Sequence, residues 1–181
     1  MGGARGALTA KQAAPVGGLG PKLAPALLTV ALAILSVVPL GIPGYASVTP
    51  NFVLMSVYHW SIYRPEHMPY LAVFLIGLLL DLLTTAPGSV IGLTPLLLLI
   101  VRSTVLGQRR FFVGRSFPLV WWGFALVVAV VDLLTWLVDS GLNGNFLEPR
   151  SLVFQAVLTV AGFPLLTLLF ARVQRLTASV A

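Results

Sequence analysis

Apolar residues run along this chain in long unbroken stretches, and polar residues gather at the ends of those stretches. Six such segments can be drawn, at 23–42, 48–63, 69–86, 89–107, 117–138 and 151–171. A helix of about 20 residues rises far enough to cross the roughly 30 Å apolar thickness of a bilayer. Continuous runs lack the alternation of a membrane barrel strand. The predicted fold is therefore an all-α polytopic membrane protein with six transmembrane helices over residues 23–172. The second segment stands apart, because Pro50–Tyr63 is short and carries Asn51, His59 and two tyrosines. It is expected either to tilt or to pack inside the bundle, away from lipid. Residues 1–22, rich in Gly, Ala and Pro, read as a disordered tail, and 173–181 as a short second tail.

Composition agrees with this pattern. The chain of 181 residues is 58% hydrophobic and 9% charged, with mean hydropathy +0.99, whereas soluble domains carry about 25% charged residues. No stretch between segments is long enough for a separate soluble domain. The net charge of +6 raises the question of nucleic acid, but the basic residues sit at segment ends, where topology explains them. With the N-terminus inside, the inner loops hold Arg5, Lys11, Lys22, Arg64, Arg109, Arg110, Arg115, Arg172 and Arg175. The outer loops then hold only Arg150, beside Asp139 and Glu148. Both termini are therefore expected in the cytoplasm, and no nucleic-acid partner is expected. The absence of cysteine removes disulfides and thiolate metal sites.

Polar residues inside the segments form narrow stripes at helical spacing: Thr29, Ala33 and Ser36; Gly77, Asp81, Thr84 and Thr85; Asp132, Thr135, Trp136 and Asp139; Gln155, Thr159 and Gly162. Small and polar faces let membrane helices approach closely and bond to one another. The stripes thus predict a compact bundle with an internal polar seam. Asp81 is the sharpest member, since a carboxylate at bilayer depth is costly and marks a site with a stated partner. Three roles stand open for it: a structural residue in the seam, a contact for a partner protein, and an ion or proton site. Asp132 carries the same choice. The tetrapeptide Asp-Leu-Leu-Thr occurs at both positions, too short and apolar a match to establish an internal duplication. Arg102, near the inner end of its segment, is placed to snorkel to the headgroups. Arg109, Arg110 and Arg115, with Phe111 and Phe112, form a basic-aromatic inner loop suited to anionic lipid headgroups or a cytoplasmic partner. Trp121 and Trp122 read as interface anchors.

Catalytic signatures are missing. There is no G-x-S-x-G nucleophile turn and no H-E-x-x-H zinc pair. Five acidic residues spread over the chain form no Mg²⁺ cluster. His59 and His67 lack a carboxylate at ligand spacing. No catalytic residue, cofactor or metal is expected.

The stretch Phe74–Arg102 carries a Gly-Leu-Leu-x-Asp-x-Leu-like core, a following Pro-Gly and a long Leu-rich segment, with Gly77, Asp81, Pro87, Gly92 and Leu93 at the key positions. It resembles the MreD family of the bacterial rod-shape (elongation) system. The resemblance implies a non-enzymatic, multi-pass scaffold of the bacterial inner membrane that binds MreC. MreB, RodA and a penicillin-binding transpeptidase would be linked directly or indirectly, and membrane lipids would surround it. Taken with the polar stripes, the expected partner-facing or seam residues are Gly77, Asp81, Thr84, Pro87, Gly88, Arg102 and Asp132. That family is similar in fold to the substrate-binding subunits of energy-coupling-factor vitamin transporters. This supplies the alternative expectation of a small-molecule-binding transporter subunit.

Overall fold

A computed structural model describes residues 19–37, 49–84, 91–112, 114–143 and 150–178, with side chains throughout except at 19–24, 143 and 173–178. Among the described residues the backbone forms six α-helices and no strand: α1 Leu19–Val37, α2 Phe52–Tyr63, α3 Tyr70–Thr84, α4 Leu93–Phe112, α5 Phe117–Asn143 and α6 Arg150–Ala178. A short 3₁₀ turn at Pro65–His67 links α2 to α3.

The helix ends follow local chemistry. α1 opens at Leu19, four residues inside the stretch read as a tail; Pro21 is tolerated there because first-turn N–H groups need no intrahelical acceptor. Residues 1–18 lie outside the described residues. α2 opens on Asn51, whose Oδ1 accepts from the Leu54 N–H at 3.0 Å, an N-cap that satisfies one orphan donor. α4 does not stop at Gly107 but continues to Phe112, so Arg109 and Arg110 stand on a helix rather than in a loop. α6 runs to Ala178, and the segment read as a tail from 173 is helical up to that residue.

α5 and α6 are each long and apolar enough to cross a membrane by length and composition, while Pro25–Val37 and Tyr70–Thr84 are shorter apolar helices. α2 is different again. Its 12 residues rise only about 18 Å, too short to cross the apolar layer alone. Every residue from Val53 to Ile62 is buried, and α1, α4, α5 and α6 all pack against it. Of the two expectations for this segment, burial inside the bundle is the one realised.

Several polar groups ease that burial by finding partners, while His59 Nδ1 and Trp60 Nε1 have none among the described residues. Thr29 of α1 and Ser56 of α2, both fully buried, share a hydrogen bond of 2.6 Å. The Asn51 N–H donates to Thr159 of α6 at 3.0 Å. Tyr58 donates from its hydroxyl to the Val120 carbonyl of α5 at 3.0 Å. Around Tyr58 the rings of Phe112, Phe124 and Phe163 pack at 6.2, 5.1 and 5.7 Å. Trp121, expected at the interface, instead turns inward and donates to the Val160 carbonyl at 2.9 Å. Trp122 remains 70% exposed, as an anchor would be.

Candidate functional site

Asp81 sits near the end of α3 and is 7% exposed. Its Oδ2 accepts from the Gly92 N–H at 2.6 Å. The Gly92 carbonyl in turn accepts from Leu96, opening the hydrogen-bond ladder of α4. The carboxylate therefore lies at the N-terminus of the next helix, where the backbone dipole and unpaired N–H groups favour negative charge. Gly92 reaches this geometry with φ +103°, a conformation that costs glycine nothing and other residues a great deal.

One turn below, α3 and α4 touch backbone to backbone. A Cβ placed on Gly77 would stand 2.6 Å from the Pro95 Cα and 2.9 Å from its nitrogen. Pro95 occupies the first turn of α4, where its missing N–H is harmless. The Gly77–Asp81 face is thus the joint of an α3–α4 hairpin. Thr84 continues that stripe but lies beyond the joint: it is exposed and its hydroxyl bonds back to the Leu80 carbonyl at 2.8 Å. Thr85, Pro87 and Gly88 lie outside the described residues.

The opposite end of the bundle is held by arginines. Arg102 is 4% exposed, donates from Nη2 to the Pro65 carbonyl at 3.0 Å, and lies 4.7 Å over the Tyr70 ring. The expected snorkel toward headgroups is replaced by a bond to the protein's own turn, which lies at that end of the bundle and offers an acceptor. Nε and Nη1 of Arg102 have no hydrogen-bond partner among the described residues. Arg109 donates to the Ile62 carbonyl at 2.8 Å. That places a cation on the C-terminal turn of α2, where orphan carbonyls and the dipole attract it. Arg110 and Arg115 stay exposed, as do Arg64 and Arg172, so these four supply the exposed basic groups of this end among the described residues.

Asp132 behaves unlike Asp81, despite the shared tetrapeptide. It lines a cavity of about 130 Å³ together with Asn51, Thr94, Thr135 and Gln155, and its Oδ2 has no hydrogen-bond partner among the described residues. Thr94 and Asn51 were not recognisable as cavity residues from the sequence. Each is an ordinary polar residue at a helix start, and only the packing of five helices turns them toward one space. His59 packs against Phe170 and Tyr63 at 4.9 and 4.7 Å. Among the described residues no group of three His, Asp or Glu stands close enough to hold a metal.

A protein-family model described as rod shape-determining protein MreD matches residues 19–173, nearly the whole chain. No curated protein and no solved structure matches.

Proposed function

The chain belongs to the MreD family, and from that premise, a rod-shape-determining membrane protein, we propose a six-span scaffold of the bacterial inner membrane. Both termini face the cytoplasm, and the protein catalyses no reaction. It binds MreC and, through that contact or directly, RodA, MreB and a penicillin-binding transpeptidase during lateral wall synthesis. The observation that carries this reading is the use made of Asp81. Its charge is spent on the Gly92 N–H at the head of α4, which holds two helices at a fixed distance. A carboxylate so engaged positions a surface; it is not presented to a passing ion. The same holds for Arg102 and Arg109, which tie α4 to the Pro65 turn and to the end of α2. Helices fixed in this way offer a constant outer face, and membrane helices recognise one another by close packing of such faces.

The vitamin-transporter alternative calls for a larger space. Sites for drug-sized ligands measure roughly 300–1,000 Å³, well above the cavity of about 130 Å³ at Asp132. The test is copurification: tagged full-length chain expressed with MreC, solubilised gently and captured. Recovery of MreC, with loss of rod shape when the chain is depleted, is the expected result. Failure to recover MreC even after in-membrane crosslinking would sink the reading. Mass spectrometry of the same preparation distinguishes the alternative, which requires a stoichiometric vitamin-sized ligand.

A further inference from the structure

We propose that the cavity at Asp132 is a binding site for a primary ammonium group, with the Asp132 carboxylate as its counter-ion. The argument begins with what the walls present. Asp132 Oδ2 is shut off from solvent and has no hydrogen-bond partner among the described residues. A carboxylate at this depth of a membrane helix is costly unless something pairs with it, and a lone buried acceptor calls for a donor. No Lys, Arg or His is among the described residues lining the cavity, so none of them supplies a countercharge to Asp132.

The neighbouring groups set the sign of the ligand. The Thr135 hydroxyl already donates to the Val131 carbonyl at 2.9 Å, so toward the cavity its oxygen can only accept. The Asn51 Oδ1 is fixed as an acceptor by its bond to the Leu54 N–H and retains a second lone pair. Thr94 and Gln155 add a hydroxyl and an amide that turn either way. A carboxylate sharing a cavity with two oxygens committed as acceptors suits a group carrying several N–H donors and a positive charge.

Size selects among cations. A cavity of about 150 Å³ accommodates benzene, so one of about 130 Å³ has room for a group of up to about six heavy atoms. That matches an aminoethyl group such as ethanolamine and leaves a bare metal ion too small to meet all the walls at once. A polar cavity of this kind fills rather than staying dry. All five polar residues lie at the end of the bundle that charge distribution assigns to the outside, so the ligand arrives from that face. It comes either as a free amine or as the headgroup of an ethanolamine lipid.

The experiment uses the full-length chain in nanodiscs of phosphatidylcholine, titrated with labelled ethanolamine. Saturable binding of one equivalent is expected, at least tenfold weaker in Asp132→Asn and unchanged in Glu66→Gln, whose carboxylate lies in the exposed turn at the other end. Gln155→Leu keeps the proposal falsifiable where Asp132→Asn fails to fold, and should also weaken binding. Repeating the titration in phosphatidylethanolamine discs separates the sources. Loss of labelled binding there identifies the lipid headgroup, and equal binding identifies a free amine. The proposal is overturned by absence of saturable binding, by unchanged binding in folded Asp132→Asn or, where that variant does not fold, in Gln155→Leu, or by equal displacement with sodium, which would make the site one for bare cations.

Discussion

At the scale of single residues, Asp81 and Gly77 do the joining of α3 to α4. Removing the acceptor with Asp81→Leu strands the Gly92 N–H in apolar surroundings, a loss of about 1–3 kcal/mol. Asp81→Asn keeps an oxygen in place and should cost less. Reversible unfolding of the purified protein in micelles measures both, and a leucine variant as stable as the wild type would refute the capping role. Gly77→Ala is expected to cost about 1–3 kcal/mol, because the added carbon meets the Pro95 backbone, which cannot turn aside. Gly107 supplies the contrast: nothing lies within 4 Å of its added carbon. Gly107→Ala on a helix interior should therefore stabilise by about 0.5–1 kcal/mol, and the opposite order of the two glycines would contradict this packing. The rarity of Asp81 was legible in the sequence, since charge within an apolar run is visible to any reading. Its partner was not, because a backbone N–H has no residue type to betray it.

At the scale of elements, α2 shows how a polar helix becomes a core. Its moderate hydropathy and short length left open whether it tilted or was enclosed. Enclosure is favoured where its polar groups meet acceptors and donors on other helices, which is a property of those helices as much as of α2. The Thr29–Ser56 bond at 2.6 Å is one such meeting. A double-mutant cycle with Thr29→Val and Ser56→Ala should give a coupling on the order of 0.6 kcal/mol and no more than about 1.7 kcal/mol, the range found between membrane helices. Zero coupling would remove that bond from the account of α2. Arg109 extends the same logic to the helix end. The apolar segment ends at 107 and leaves Arg109 in a basic-aromatic loop, yet α4 persists to Phe112, where Arg109 and Phe112 both find contacts on α2.

At the scale of the molecule, the proposed six-span topology with inner termini rests on the distribution of Lys and Arg. The chain contains no cysteine, so single cysteines report without background. Glu66→Cys and Arg115→Cys, both at exposed positions, should react with an impermeant maleimide only after the membrane is opened. Arg150→Cys, also exposed, should react in intact cells. The reverse pattern, or the same side for all three, would overturn the topology. The two aspartates at matching tetrapeptides also diverge at this scale: Asp81 is engaged by a helix end, while Asp132 faces a cavity that five elements share.

The sequence by itself determined the solvent this chain lives in and its helical content. Transfer of apolar side chains and satisfaction of the backbone are local matters that a run of Leu, Val and Phe decides. The rare sites, Asp81, Asp132 and Arg102, were likewise visible as charges out of place, as was the family core around Gly77. Tertiary structure alone decided which helix lies at the centre, that Arg102 bonds to the Pro65 turn, and that one aspartate caps a helix while its twin lines a space. Those outcomes depend on which distant groups come within about 3 Å of each other, the reach of a hydrogen bond. No pattern along a single segment carries that information.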